Sequence, residues 1–269
     1  MTTSSDAKYV SILVDAIRVS AHYRPKLGHG TKSGYSLADF QSIYGHDPFY
    51  TWMGLDDPLM YAAHKAAGGM TSIYRQIGTG CETLFRTLLQ DSLNLSKEDV
   101  KWSYKTKKIS GKSRTLYLDA RIPIAAVADT KKQEAIHSWI EKAAQSLDID
   151  PGIRDSLQGV VFEVRQGYKS KDSKRQNADI ANAATAYTKG YLPCVAVLST
   201  QIDEDISLRY QAEKWLLLTG RLKGASSLQS VYKFSQQVVG YDLAGFFKRN
   251  QQTLKSEVHK VLISLLSTK

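Results

Sequence analysis

Apolar residues recur at steps of three and four along several stretches of the chain, which is the period of an amphipathic helix. In the first stretch, Val10, Leu13, Val14 and Ile17 share one face. The pattern predicts three helices and a helical tail, over 7–21, 70–93, 130–147 and 227–267. The pair Gly68-Gly69 is predicted to interrupt the chain before the second helix.

Other stretches predict β-strands. Trp102, Tyr104, Leu116 and Leu118 alternate with polar residues on either side of Ser110-Gly111, which indicates a β-hairpin. Continuous apolar runs predict three buried strands, over 122–128, 160–164 and 192–198. A helix predicted over 172–189 separates the last two strands, and a strand–helix–strand sequence is typical of a parallel crossover.

These elements predict an α/β fold, with a central mixed β-sheet flanked by helices. Residues 22–58 are rich in glycine, histidine, tyrosine and proline and have weak periodicity. We therefore predict two parts, an N-terminal lobe of helices and loops over 1–69 and a core with C-terminal helices over 70–269.

The charge of the chain suggests its partner. Lysine and arginine number 36 against 26 acidic residues, giving a net charge of +10 and a pI near 9.4. A positive field of this size commonly serves to bind phosphate backbones, although a surplus that only aids solubility is the alternative.

Composition also bears on the compartment. Cys81 and Cys194 each lie in an apolar stretch with no second cysteine nearby, so both are predicted to be buried free thiols. The N-terminal apolar stretch is interrupted by Asp15 and Arg18, unlike a signal peptide. The apolar run over 122–128 is too short to span a bilayer, so we expect a cytoplasmic protein with no membrane partner.

The candidate chemistry centres on the strand predicted over 160–164. Glu163 and Arg165 are two positions apart and therefore point to the same face. The residues before them are apolar, so an acid and a cation emerge together from the core, which is costly without a purpose. The alternative is a solvated edge strand with a salt bridge. Lys169 follows in a strongly basic stretch.

A second acid, Asp119, stands at the end of the preceding strand. Two acids on neighbouring strands suit Mg²⁺, which binds a few carboxylates together with water and phosphate oxygens. A nearby cation, Arg165 or Lys169, would stabilise the charge that develops during phosphodiester hydrolysis.

This order of residues resembles the PD-(D/E)xK nuclease superfamily, over roughly residues 70–200. In that family an acid on one strand precedes an acid-x-lysine on the next, and a helix follows. Here Leu118 stands where the family has proline, and Arg165 stands where it has lysine. The resemblance implies a restriction-endonuclease-like fold, catalytic roles for Asp119, Glu163, Arg165 and Lys169, and Mg²⁺ as cofactor.

The following segment resembles the type II restriction endonucleases that read CCGG-containing sites. In those enzymes a basic run opens a helix, and an acid on that helix completes the metal site. Asp179 is that acid here, and it competes with Glu163 for the place beside Asp119. Glu82 resembles the acid that many of these nucleases carry on an earlier helix, with an exposed helix residue as the alternative.

The basic residues near the predicted hairpin are expected to contact phosphates, and the basic and polar residues of the later segment are expected to read base edges. The first group comprises Lys105, Lys107, Lys108 and Lys112. The second comprises Lys171, Asp172, Lys174, Arg175 and Asn177. Because lysine and arginine pair with guanine and aspartate accepts from cytosine, a GC-containing site is expected.

The resemblance therefore implies a type II restriction endonuclease that hydrolyses double-stranded DNA with Mg²⁺. A palindromic site requires twofold symmetry, so a homodimer is expected. A cognate DNA methyltransferase would be its genetic partner. The alternatives are a repair or mobile-element nuclease on the same fold and a DNA-binding protein without catalysis.

Overall fold

The computed structural model describes four stretches of the chain, 4–27, 33–107, 113–167 and 182–267. Backbone alone is described at 4, 106, 107, 113 and 114. The chain forms two compact units. We call Met1–Gly80 with Lys248–Lys269 the terminal unit, and Cys81–Phe247 the central unit.

Helices dominate the terminal unit. Its complete helices are α1 (Ser4–Val19), α2 (Leu37–Gly45), α3 (Pro48–Trp52) and α11 (Gln251–Leu266). The face of α1 predicted from the sequence is buried, including Leu13, Val14 and Ile17. In the first turn of α1, the fully buried Asp6 accepts hydrogen bonds of 2.8 and 3.1 Å from Arg249, so a charged pair joins α1 to a segment near the other end of the chain.

The predicted break at Gly68-Gly69 is wrong, because one helix, α4 (Pro58–Leu93), runs through both glycines. The reason is tertiary packing. A Cβ at Gly68 would lie 1.9 Å from the Tyr23 hydroxyl, and one at Gly69 would lie 2.6 Å from Cδ2 of Leu265. Glycine is therefore needed here for close approach, which outweighs its low helix propensity.

The central unit contains two β-sheets and the helices that cover them. Its strands are β1 (Trp102–Lys107), β2 (Ser113–Leu118), β3 (Ala120–Pro123), β4 (Gly159–Arg165), β5 (Tyr191–Val197) and β6 (Leu216–Leu218). Its helices include α5 (Thr130–Ser146), α6 (Pro151–Asp155), α7 (described over 182–188), α8 (Glu204–Ala212) and α9 (Val231–Phe234). Helix α10 (Leu243–Arg249) begins in the central unit, and its last two residues belong to the terminal unit. A π-helical turn, Ser235–Val239, follows α9.

The strand pairing confirms the predicted α/β class with a mixed sheet. The predicted hairpin is confirmed, since β1 and β2 are antiparallel, and in it Trp102 lies opposite Leu118. The main sheet has the order β3-β4-β5-β6, in which β3 is antiparallel to β4 and the other pairs are parallel. Strand β4 lies between two partners and each of its residues is buried, so the alternative of a solvated edge strand is wrong.

Both faces of the main sheet are covered, and alternation along β4 assigns its side chains to them. Val161 packs with Trp102, Tyr210 and Trp215 on one face. Phe162 points to the other face, where its ring centroid lies 5.1 Å from that of Phe85 and 5.5 Å from that of Phe234. Within the described part of the chain, the main sheet is therefore covered on both faces, and the ends of its strands are the places where a site can open.

Two strand boundaries differ from the prediction. The apolar run over 122–128 is mostly not a strand, since β3 ends at Pro123 and a short 3₁₀ turn follows over Ile124–Ala126. Pairing continues one step past β3, because the N–H of Ile124 donates to the carbonyl of Gln158 at 2.9 Å, and the 3₁₀ turn then takes the chain out of the sheet. Strand β6 was not predicted, since its three leucines are too few to show a period. Within the described residues, none of the helices is both long and apolar enough to cross a membrane.

Candidate functional site

Asp119 lies in the bend between β2 and β3, and its position is fixed by two hydrogen bonds to β4. Its backbone N–H donates to the carbonyl of Phe162 at 2.8 Å. Its carboxylate Oδ2 accepts from the backbone N–H of Val164, also at 2.8 Å. Ala120 pairs with Phe162 in the antiparallel β3–β4 register, and one step further along this register Asp119 lies beside Glu163. The two acids therefore lie on neighbouring strand segments, as predicted from the sequence.

Glu163 and Arg165 end β4 with their side chains on the same face, as predicted. They are 7% and 9% exposed, and a guanidinium Nη2 of Arg165 forms an ion pair with Oε1 of Glu163. Removing two charges from water costs several kcal/mol for each ion, which their attraction only partly offsets. The pair is therefore poor evidence for stability, and a functional role explains its presence better.

An arginine that the sequence analysis missed reaches the same place. Arg86 lies on α4, and its Nε donates to the backbone carbonyl of Asp119 at 2.6 Å. Glu82, the predicted helix acid, lies one turn earlier on the same helix and is half-buried. Its part in binding metal stays a prediction. No sequence signal marks Arg86, because only the fold brings α4 to the β2–β3 bend.

A pocket of about 410 Å³ opens beside Asp119 and is lined also by Arg86 and the exposed Tyr117. Lys101, Trp102 and Ser103 line it as well, and the same three residues line a second pocket of about 460 Å³. A third pocket, about 610 Å³ in volume, lies beside Lys214 and contains neither candidate acid. We therefore take the pocket next to Asp119 as the candidate site, although its volume is smaller than that of the other two pockets.

The other predicted residues are only partly described. Lys105 is exposed on β1, and Lys107 is described by its backbone alone. The remaining predicted residues lie outside the described part of the chain: Lys108, Lys112, Lys169, Lys171, Asp172, Lys174, Arg175, Asn177 and Asp179. Their roles stay predictions.

The chemical type of the candidate ligands suits Mg²⁺. Asp119 and Glu163 supply carboxylate oxygens, the ligands a hard cation prefers, and Mg²⁺ is commonly held by one or two carboxylates with water and phosphate. In the stretches that the structure describes, no three acidic, histidine or cysteine side chains gather as a metal site. Such a pair would therefore need water and substrate oxygens to complete the coordination shell.

The two cysteines are buried free thiols, as predicted. Burial raises the pKa of Cys81 to about 12, with a smaller contribution from Glu82, and burial also raises the pKa of Cys194. Neither thiol is suited to be a nucleophile or a metal ligand at neutral pH.

Comparisons with models of known protein families, with curated proteins and with solved structures find no match for this chain.

Proposed function

We propose that this protein is a Mg²⁺-dependent endonuclease that hydrolyses phosphodiester bonds in double-stranded DNA, on a restriction-endonuclease-like fold. The observation that carries the proposal is the position of Asp119 beside the Glu163-Val164-Arg165 segment, with its carboxylate bonded to the N–H of Val164. An acid from one strand beside an acid-x-cation on its antiparallel neighbour is the arrangement that the sequence resemblance implies. The net charge of +10 supports a polyanionic substrate.

In this proposal Asp119 and Glu163 hold Mg²⁺, and Asp179 is the alternative to Glu163. We favour Glu163 because a strand-borne carboxylate is held more rigidly than one on a helix. When bound, Mg²⁺ polarises the scissile phosphate and lowers the pKa of a coordinated water.

Arg165 and Lys169 have electrostatic roles. The guanidinium of Arg165 keeps its proton, so it cannot act as a general base, but it can stabilise the negative charge that develops on the phosphate oxygens. The ion pair with Glu163 holds it at the end of β4. Lys169 would supply a second positive charge. Water adds to phosphorus and gives up a proton to the solvent, the bond from phosphorus to the leaving oxygen breaks, and that oxygen takes a proton from the solvent.

We further propose a type II restriction enzyme, a homodimer that cleaves a GC-containing palindrome and is accompanied by a cognate DNA methyltransferase. A repair or mobile-element nuclease is the second candidate, and a DNA-binding protein without catalysis is the third. A regulator has no need of Asp119 and Glu163 together, which argues against the third.

Incubation of supercoiled plasmid DNA with the purified protein and Mg²⁺ separates the three candidates. Discrete fragments that form with Mg²⁺, and do not form in a parallel reaction that contains EDTA, support the restriction enzyme. A smear supports a general nuclease and rejects site specificity. Intact DNA that nevertheless shifts in a native gel rejects the enzyme altogether.

A further inference from the structure

The second pocket, which we call the basic pocket, lies next to the Asp119 pocket across the start of β1. Its charged lining consists of Lys101, Arg121, Lys189 and one carboxylate, Glu98. Tyr191 contributes an aromatic wall. Three cations against one acid leave an excess of positive charge in a concave site of about 460 Å³, which favours an anionic ligand.

Arg121 is fixed in place before any ligand arrives. Its Nε donates to the carbonyl of Asp99 at 2.7 Å, and an Nη2 donates to the carbonyl of Glu98 at 3.1 Å. Its guanidinium lies 5.8 Å from the centre of the Tyr191 ring, within the range of a cation–π contact. These partners are uncharged backbone carbonyls that orient the guanidinium. The Asp99 carboxylate, whose pKa is lowered mainly by hydrogen bonds from Ser96 and also by Arg121, offsets part of the positive charge.

The two lysines are accessible. Lys189 is exposed in the turn that follows α7. Lys101 makes a hydrogen-bonded ion pair of 2.7 Å with Glu98, but the two side chains are 61% and 80% exposed. Exposed pairs of this kind contribute little free energy, so Lys101 can exchange Glu98 for a phosphate at small cost.

The position of the basic pocket relates it to the candidate site. Tyr191 pairs with Gly159 at the first residue of β4, and Glu163 lies four residues further along that strand. Four strand residues span about 13 Å. That distance is several times the rise of one base pair of DNA, about 3.4 Å, so a phosphate in the basic pocket would not be the scissile one.

We propose that the basic pocket binds a backbone phosphate of the DNA strand a few nucleotides from the scissile bond. The inference rests on the proposed nuclease function and adds Lys101, Arg121 and Lys189 to the substrate-binding residues. Phosphate contacts position a duplex without reading its sequence, so the pocket sets the register of cleavage and not the recognition site.

The test compares two double variants in binding to a short labelled duplex, in EDTA so that no cleavage occurs. Lys101→Ala/Lys189→Ala removes two charges from the pocket and keeps Arg121, which supports the backbone at 98–99. Lys131→Ala/Lys142→Ala, at exposed positions of α5 in the same unit, removes the same charge elsewhere. Circular dichroism checks that both fold.

The pocket variant should raise Kd roughly fivefold at moderate salt and lower the slope of log Kd against log salt by about one, as expected for one lost phosphate contact. The Lys131→Ala/Lys142→Ala variant should have a Kd and a salt slope close to those of wild type. A duplex with one neutral methylphosphonate flanking the cut should weaken wild-type binding and leave the pocket variant unaffected.

The experiments distinguish rejection of the basic pocket as a phosphate site from rejection of the proposed nuclease function. If wild type binds and cleaves DNA but the two double variants behave alike, the basic pocket is not a phosphate site and the nuclease proposal stands. If wild type neither binds nor cleaves duplex DNA, both are rejected. If calorimetry shows that inorganic phosphate or 5′-AMP binds wild type tightly at this pocket while DNA binding is unchanged in the pocket variant, the ligand is a small anion and the DNA assignment is overturned.

Discussion

The Oδ2 atom of Asp119 accepts a 2.8 Å hydrogen bond from the backbone N–H of Val164, the residue between Glu163 and Arg165. Asp119 is therefore hydrogen-bonded to the strand that carries Glu163 and Arg165. Groups held in this way by backbone bonds need little reorganisation when a substrate binds, which is a requirement of an efficient site.

Arg86 should act as a positioning residue for Asp119. Arg86→Ala removes the 2.6 Å bond to the Asp119 carbonyl, so the carboxylate is held less firmly. We expect cleavage at saturating Mg²⁺ to slow about tenfold, equivalent to about 1.4 kcal/mol, and the Mg²⁺ concentration for half-maximal rate to rise. Thr83→Ala, at an exposed position of the same helix, is the control. An unchanged rate and Mg²⁺ dependence for Arg86→Ala would reject this role.

Arg165→Met should destabilise the protein, because it removes one ion-pair partner from the buried Glu163 carboxylate. Loss of one member of a buried pair costs about 3–5 kcal/mol. Adding Glu163→Gln should restore part of that loss, since the buried negative charge is then removed. Urea unfolding of both single variants and the double variant measures the coupling. Additive effects would show that the two side chains do not depend on each other.

Neither cysteine should react in the folded protein. Burial raises the pKa of both thiols, to about 12 for Cys81, so almost no thiolate is present at pH 8. Ellman's reagent should therefore detect no thiol in native protein over several minutes and both thiols after unfolding in guanidinium chloride. Rapid labelling of one cysteine in the native protein would contradict the described burial.

Glu257 should make the terminal unit sensitive to acid. Hydrogen bonds from Arg18 at 2.7 Å and Lys260 at 2.6 Å lower its pKa from 4.5 to about 2. Because the folded pKa is the lower one, the stabilisation is complete above pH 4.5 and is lost as the pH falls towards 2.

The free energy of unfolding of wild type should accordingly exceed that of Glu257→Gln at neutral pH, and the difference should shrink across this window. Urea unfolding as a function of pH measures it. Glu141→Gln, which removes a 52% exposed carboxylate, is the matched control. A difference that stays constant from neutral pH down to pH 2 would show that Glu257 does not act through its charge.

Local pattern was enough to predict the elements that carry the acids. The hairpin, β4, β5 and their parallel crossover follow from alternation and apolar runs, and the shared face of Glu163 and Arg165 follows from the period of a strand. These features depend on residues close together in the sequence.

What could not be predicted depends on contacts between distant segments. Gly68 lies within α4 because Tyr23 packs against it, and Arg86, further along the same helix, reaches the distant Asp119. The basic pocket likewise joins Lys101, Arg121 and Lys189 from three separate segments. An exposed cation has no periodic signal, so only the fold reveals which cations act together.

The central claim is that Asp119 and Glu163 together cleave DNA with Mg²⁺. The most direct measurement is the single-turnover cleavage rate of duplex DNA by wild type, Asp119→Asn and Glu163→Gln, with binding to the same duplex measured in EDTA. The account predicts that each variant is slower by about a hundredfold or more, the loss of a few kcal/mol of transition-state stabilisation. Both variants should bind within about tenfold of wild type, about 1.4 kcal/mol. Cleavage by both variants at the wild-type rate would contradict it.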